Sequence, residues 1–232
     1  DRRIENVLTT LYLLFNEGYY SSSRNQVLRK DLCLEAMRLT HMLTENENTD
    51  KPFVNALIAL MCFHASRFEA RINPKGELIL YEDQDISLWN SELVSQGEHF
   101  LNKAATGNVI SKYHLEAAIA YWHTVVNNDV QKWEKILSLY NQLLIIEYSP
   151  IAALNRTYAL AKVYGSDQAI TEAEKLKLDN NHLYHTLLGE LYTNIDDEKA
   201  IQHWQVALKL ARSSADKKLI SGKIKKLSNK IA

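Results

Sequence analysis

The sequence predicts an all-α chain built of antiparallel helix pairs, and three observations carry that expectation. Only 7 glycines and 3 prolines are spread over 232 residues, too few for the turns of a many-stranded fold. Apolar residues recur at helical spacing over most of the length. From about residue 112 onward the helices become shorter and come in pairs, at about 112–127, 131–147, 150–164, 167–177, 181–193, 197–212 and 215–229.

In order, Val7, Leu8, Leu11, Tyr12, Leu14 and Phe15 form a first stripe that Gly18 is expected to end. Ser21, Ser22 and Ser23 make the first loop. A second helix runs from Val27 to Thr44, with Leu28, Leu32, Ala36, Leu39 and Leu43 on one face. Pro52 opens the third helix from the first-turn position it tolerates, with Asp50 as the expected cap. That helix continues through FVNALIALMCFHASRFEARI, and because it is apolar nearly all round it is predicted to be central. Asn73-Pro74-Lys75-Gly76 fits a type I turn between Ile72 and Leu78-Ile79-Leu80, so one short β-hairpin is expected near residues 71–81. Helix resumes at about 87–105, Gly107-Asn108 ends it, and Ser111 caps the next.

The pairing in the second half has a recognisable pattern. LLGELYTNIDDEKAIQHWQVALKLA resembles the tetratricopeptide (TPR) signature, with Leu188, Gly189 and Tyr192 on one helix and Ala200, Trp204 and Ala207 on the next. Small residues let two helices approach closely, while the aromatic ones fill the wedge between pairs. Leu154, Tyr158, Ala169 and Ala173 repeat the idea in degenerate form, and a weaker copy can be drawn through Ala118, Tyr121, Ile136, Tyr140 and Leu143. The expected organisation is a helical region with the hairpin over 1–110, then TPR-like repeats over 111–232 stacked as a right-handed superhelix, the two forming one continuous unit. A generic bundle in which alanines and aromatics recur is the competing reading.

Composition narrows the function classes. A net charge of −1 and a pI near 6.8 supply no basic excess for phosphate backbones, so no direct nucleic-acid contact is expected. Cys33 and Cys62 lie within apolar helical patterns, as in a reduced cytoplasmic protein. No apolar run approaches a membrane span. The sequence lacks a phosphate-binding glycine loop and the HExxH, CxxC and GxSxG motifs, so no enzyme activity, catalytic residue, cofactor or metal is expected. His182 and His185 lie one turn apart without companion ligands and read as packing or surface residues. The lysines of DKKLISGKIKKLSNKIA read as the solvated face of a capping helix.

One polar cluster stands out. Arg67 and Arg71 lie one turn apart, and the expected hairpin would fold Glu82, Asp83 and Asp85 back toward them. This could be an anion-binding or partner-binding pocket, a carboxylate pair for acid–base work, or an ion-pair network pinning the hairpin. Asn16 and Glu17 at the end of the first helix carry the same ambiguity.

The strings YLLFNEGYYSSS, DLCLEAMRL, ALMCFHASRFEAR and GELILYEDQDISLWN, in that order and spacing, resemble the C-terminal extension of bacterial extracytoplasmic-function sigma factors of RNA polymerase that carry a TPR-like domain. The resemblance covers essentially the whole chain and is most specific over residues 11–90. It implies that DRRIENVL follows the promoter-reading domain and that the chain is a regulatory region in transcription initiation. The implied partners are the sigma domains of the same full-length chain, the polymerase core or a regulatory protein. Tyr12, Phe15 and Tyr19 are then candidates for docking the DNA-binding domain, and Trp89, next to last in the fourth string, is a further candidate. The alternative is a ligand-sensing module using the neighbourhood of residues 67–85.

Overall fold

The computed structural model describes residues 2–20, 28–74, 79–127 and 129–231, and it is all-helical, with no strand among those residues. The chain divides into two compact units, Asp1–Val126 and Asn127–Ala232.

The first unit is built around α3 (Pro52–Ala65), whose Val54 to Phe63 are all buried. Such a helix has no polar face to give to solvent and must be covered on every side. It is packed by α2 (Lys30–Thr44), α5 (Ser91–Ala104) and α6 (Lys112–Thr124), with α1 (Arg2–Tyr19) lying against α2. Hence α6, expected among the repeats, belongs here, and Tyr121 packs its ring 5.7 Å from that of Phe63. The weak third repeat therefore straddles the division between the units.

Several local expectations change for physical reasons. Gly18 does not stop α1; it sits where α1 meets α2, and a Cβ there would lie 2.7 Å from Cys33 Sγ and 2.8 Å from the Arg29 carbonyl. The glycine is needed for close approach. Lys51, not Asp50, occupies the cap position of α3, and Asp50 instead accepts from Asn55 Nδ2 at 2.6 Å and from Lys103 Nζ at 3.1 Å. The second helix begins at Lys30, and the expected serine loop lies outside the described residues.

The third helix does not run unbroken to Ile72. It stops at Ala65, Ser66 Oγ donates to the Phe63 carbonyl at 2.7 Å, and the Ser66 carbonyl accepts from Asn90 N at 2.8 Å. A short α4 (Phe68–Arg71) follows. The expected hairpin contracts to a single bridge residue, Ile72, and a hydrogen bond from Ile79 N to the Arg71 carbonyl at 2.8 Å. Residues 75–78 of its turn lie outside the described residues. Two 3₁₀ turns, Tyr81–Asp83 and Ile86–Leu88, then lead to α5, which Asn90 caps by accepting from Leu93 N at 3.0 Å.

The second unit comprises α7 (Val130–Ile146), α8 (Pro150–Tyr164), α9 (Ser166–Glu174), α10 (His182–Tyr192), α11 (Asp197–Leu210) and α12 (Ser214–Ile231), each packed on the next in sequence. Asp129, Ser149, Asn181 and Asp196 cap four of these helices, so most starts are written in the chain. Leu188, Ala200, Trp204 and Ala207 are all buried, and a Cβ on Gly189 would come within 2.7 Å of Trp204 Cε2. On α12, Ile220 and Leu227 face inward, while Lys223 reaches Glu190 at 2.9 Å and Lys230 reaches Asp197 at 3.3 Å.

Candidate functional site

The break after α3 changes what the end of that helix presents. His64, Arg67 and Arg71 follow one another at roughly helical spacing, and each meets aromatic rings rather than acids. His64 lies 4.7 Å from the Tyr19 ring and 6.3 Å from that of Phe15. The Arg67 guanidinium stands 5.3 Å from the centre of Tyr81 and 6.0 Å from Trp89. Arg71 lies 4.0 Å from Tyr19 and 5.1 Å from Tyr20, and donates from Nη2 to the Tyr19 carbonyl at 3.4 Å.

The aromatic walls are themselves held in place. Tyr81 stacks at 6.3 Å on Trp89, donates its hydroxyl to the His123 carbonyl at 2.9 Å, and sets its ring edge-on to His123 at 4.9 Å. Across the cluster, Tyr12 donates to Glu116 Oε1 at 3.1 Å, and the Asn16 side chain reaches the same phenol. Burial and the Glu116 carboxylate push the Tyr12 hydroxyl well above the usual phenol range. The same cluster thus receives side chains from α1, the end of α3, α4, the 3₁₀ segment and α6.

The electrostatics are unusual. Arg67 is only 7 % exposed, yet it makes no ion pair or hydrogen bond with any described residue. Arg71 has no carboxylate partner among them either. The Nε atoms of both arginines, His64 Nδ1 and Trp89 Nε1 are buried without a hydrogen-bond partner among the described residues. Removing a guanidinium from water costs several kcal/mol, of the order that a facing carboxylate normally offsets, whereas a cation on an aromatic face recovers only about 1–2 kcal/mol. The positive field is felt locally: burial first, then Arg67, Arg71 and His123, holds His64 far below the usual imidazole range.

Of the residues singled out in the sequence, the structure brings together Tyr12, Asn16, Tyr19, Arg67, Arg71 and Trp89. Phe15 is 2 % exposed and stacks on Tyr19, so it supports the cluster from the core. Glu17 is half-buried on the same helix. The acids expected to fold back are not there. Glu82, Asp83 and Asp85 are exposed, and none pairs with either arginine. Asp85 instead accepts from Ser87 N at 2.9 Å and Ser87 Oγ at 2.7 Å, capping its own 3₁₀ turn.

The sequence reading missed His64, Tyr20, Tyr81, Glu116 and His123. His64 and Tyr81 lay within the two strings already marked as unusual, while Glu116 and His123 carry no local signal, because only the packing of α6 on α3 brings them near. Elsewhere, His185 is buried and contacts His203 at 3.1 Å and the Asp179 carbonyl at 2.9 Å. No group of three His, Cys, Asp or Glu suited to a metal ion occurs among the described residues. None of their helices is long and apolar enough to cross a membrane.

Comparison with known proteins bears on the same unit. Residues 3–105 match a family described as "Family of unknown function (DUF6596)". The chain is also 34 % identical over 192 residues, 82 % of its length, to an uncharacterized protein of Rhizobium meliloti (strain 1021). It spans 45 % of that relative's length. No solved structure matches the chain.

Proposed function

We propose that this chain is the regulatory, protein-interaction region of an extracytoplasmic-function sigma factor, acting in the cytoplasm by binding rather than by turnover. Its partners in this reading are the DNA-binding sigma domains of the same protein, the polymerase core or a regulatory protein. The promoter-reading domains are then carried outside these 232 residues. The six helices of the second unit serve as a TPR-like stack, the sort of repeat surface that binds other proteins.

One observation carries the reading. The four strings that resemble these sigma factors lie far apart in sequence, yet side chains from all four gather at one place. Tyr12, Asn16 and Tyr19 come from the first, and Cys33, whose thiol lies 3.6 Å from the Phe15 carbonyl and feels Arg71, comes from the second. His64, Arg67 and Arg71 come from the third; Tyr81 and Trp89 come from the fourth. A resemblance spread over generic helix cores would have no reason to converge on polar residues that cost stability.

Run-off transcription by polymerase with the full-length sigma factor, compared with the same factor lacking this region, tests the proposal. A change of about tenfold or more in promoter output, restored or reversed by adding the region in trans, is the expected result, corresponding to about 1.4 kcal/mol of coupling. Identical output with and without the region would refute it.

A further inference from the structure

We infer that the Arg67–Arg71 cluster of the first unit is a binding site for a small oxyanion, a phosphate or a carboxylate, held between the two guanidiniums. The inference concerns this chain alone and holds whichever protein the chain contacts.

Two arginines one turn apart are packed on opposite aromatic pairs, Arg67 on Tyr81 and Trp89, Arg71 on Tyr19 and Tyr20. The aromatic faces fix the planes of the guanidiniums but satisfy none of their N–H donors, and planar, oriented guanidinium donors match the paired oxygens of carboxylate and phosphate. Arg67 is 93 % removed from solvent by its 7 % exposure, and its Nε is buried without a partner among the described residues. Arg71 Nε and His64 Nδ1 are buried in the same condition. The acids of the 3₁₀ segment, Glu82, Asp83 and Asp85, are turned to the surface, and Glu116 directs an oxygen at the Tyr12 hydroxyl. Buried Arg67 and half-buried Arg71 stand beside an imidazole held far below its usual range, and neither guanidinium meets a carboxylate among the described residues.

The chemistry of the walls sets the class. Both aromatic pairs are already covered by guanidiniums, so the ligand is recognised by its oxygens rather than by a stacked ring. The charged or titratable groups facing His64 are Arg67, Arg71, His123 and the Tyr19 ring, so an arriving anion stabilises the imidazolium.

The test is a thermal-shift and calorimetric titration of the chain with inorganic phosphate and, separately, with succinate, each against sodium chloride of matched ionic strength. At least one anion is expected to raise the melting temperature saturably, with affinity reduced about tenfold or more in Arg67→Met and in Arg71→Met and unchanged in Arg38→Gln, an exposed arginine paired with Glu35. Response to phosphate alone assigns the phosphate class; response to succinate alone assigns the carboxylate class. In the wild type, which avoids any doubt over variant folding, the NMR-detected titration of His64 should move upward when the anion binds. No response beyond that to chloride, equal responses in wild type and both methionine variants, or an unmoved His64 would each overturn the assignment.

Discussion

The guanidinium of Arg71 rests 4.0 Å from the ring of Tyr19 and takes that residue's own carbonyl as a hydrogen-bond acceptor at 3.4 Å. Tyr19 is 1 % exposed and also touches Phe15, His64 and Phe68, so one side chain joins the core to the charged cluster. Tyr19→Leu should destabilise the first unit by about 3 kcal/mol, from lost aromatic volume together with a lost cation contact. Urea unfolding monitored by circular dichroism measures this, and a loss below about 1 kcal/mol would show that the ring is not the keystone described.

Arg67→Met should have the opposite sign. The arginine is buried against aromatic faces with no carboxylate partner among the described residues, so an unbranched apolar side chain of similar length removes a desolvation cost larger than the contact it gives up. In phosphate-free buffer the variant is expected to be more stable than wild type by about 1 kcal/mol, the trade-off typical of a site shaped for binding. A loss of about 2 kcal/mol or more in urea unfolding would mark Arg67 as a structural residue.

His64 makes stability depend on pH. Its folded-state value lies below the unfolded value of about 6.5, so above that pH both states are neutral and the contribution is complete. As pH falls below about 6.5, the unfolded state takes up a proton that the folded state refuses, and stability drops by up to about 1.4 kcal/mol per pH unit. Denaturation curves in phosphate-free buffer between pH 7 and pH 5 should show this slope, and His64→Gln should flatten it. An equal slope in the variant would assign the effect to other groups.

In the second unit, Gly189→Ala should cost about 1–3 kcal/mol, because the new methyl group lands on the Trp204 indole and neither helix can withdraw without opening the stack. Gly222 is the control, being helical with nothing within 4 Å of an added Cβ, so Gly222→Ala should stabilise by about 0.5–1 kcal/mol. Thermal melts of both variants check the pair. Equal effects would argue against the close packing of α10 on α11.

Much of the helical framework was legible because its signals are local. Ser111 marks a helix start that the structure keeps, and Leu188, Ala200 and Trp204 are buried as their spacing predicts. Gly18 was misread because a glycine at a helix end and a glycine at a close helix crossing look alike until the partner, Cys33, is known. Of the expected hairpin the described residues keep one bridge residue, Ile72, and 3₁₀ turns begin at Tyr81 and Ile86. In the candidate site, Arg67 and Arg71 were visible from their spacing. Their aromatic partners were not, since Tyr81 depends on His123, more than 40 residues away in sequence, for its position.

The most direct test of the proposed regulatory role is a calorimetric titration of this chain with the separately produced DNA-binding domains of the sigma factor that carries it. Saturable one-to-one binding, with a dissociation constant of about 1 µM or tighter, is the predicted result and corresponds to about −8 kcal/mol. Absence of binding at about 100 µM of each partner, with both proteins folded, would contradict it.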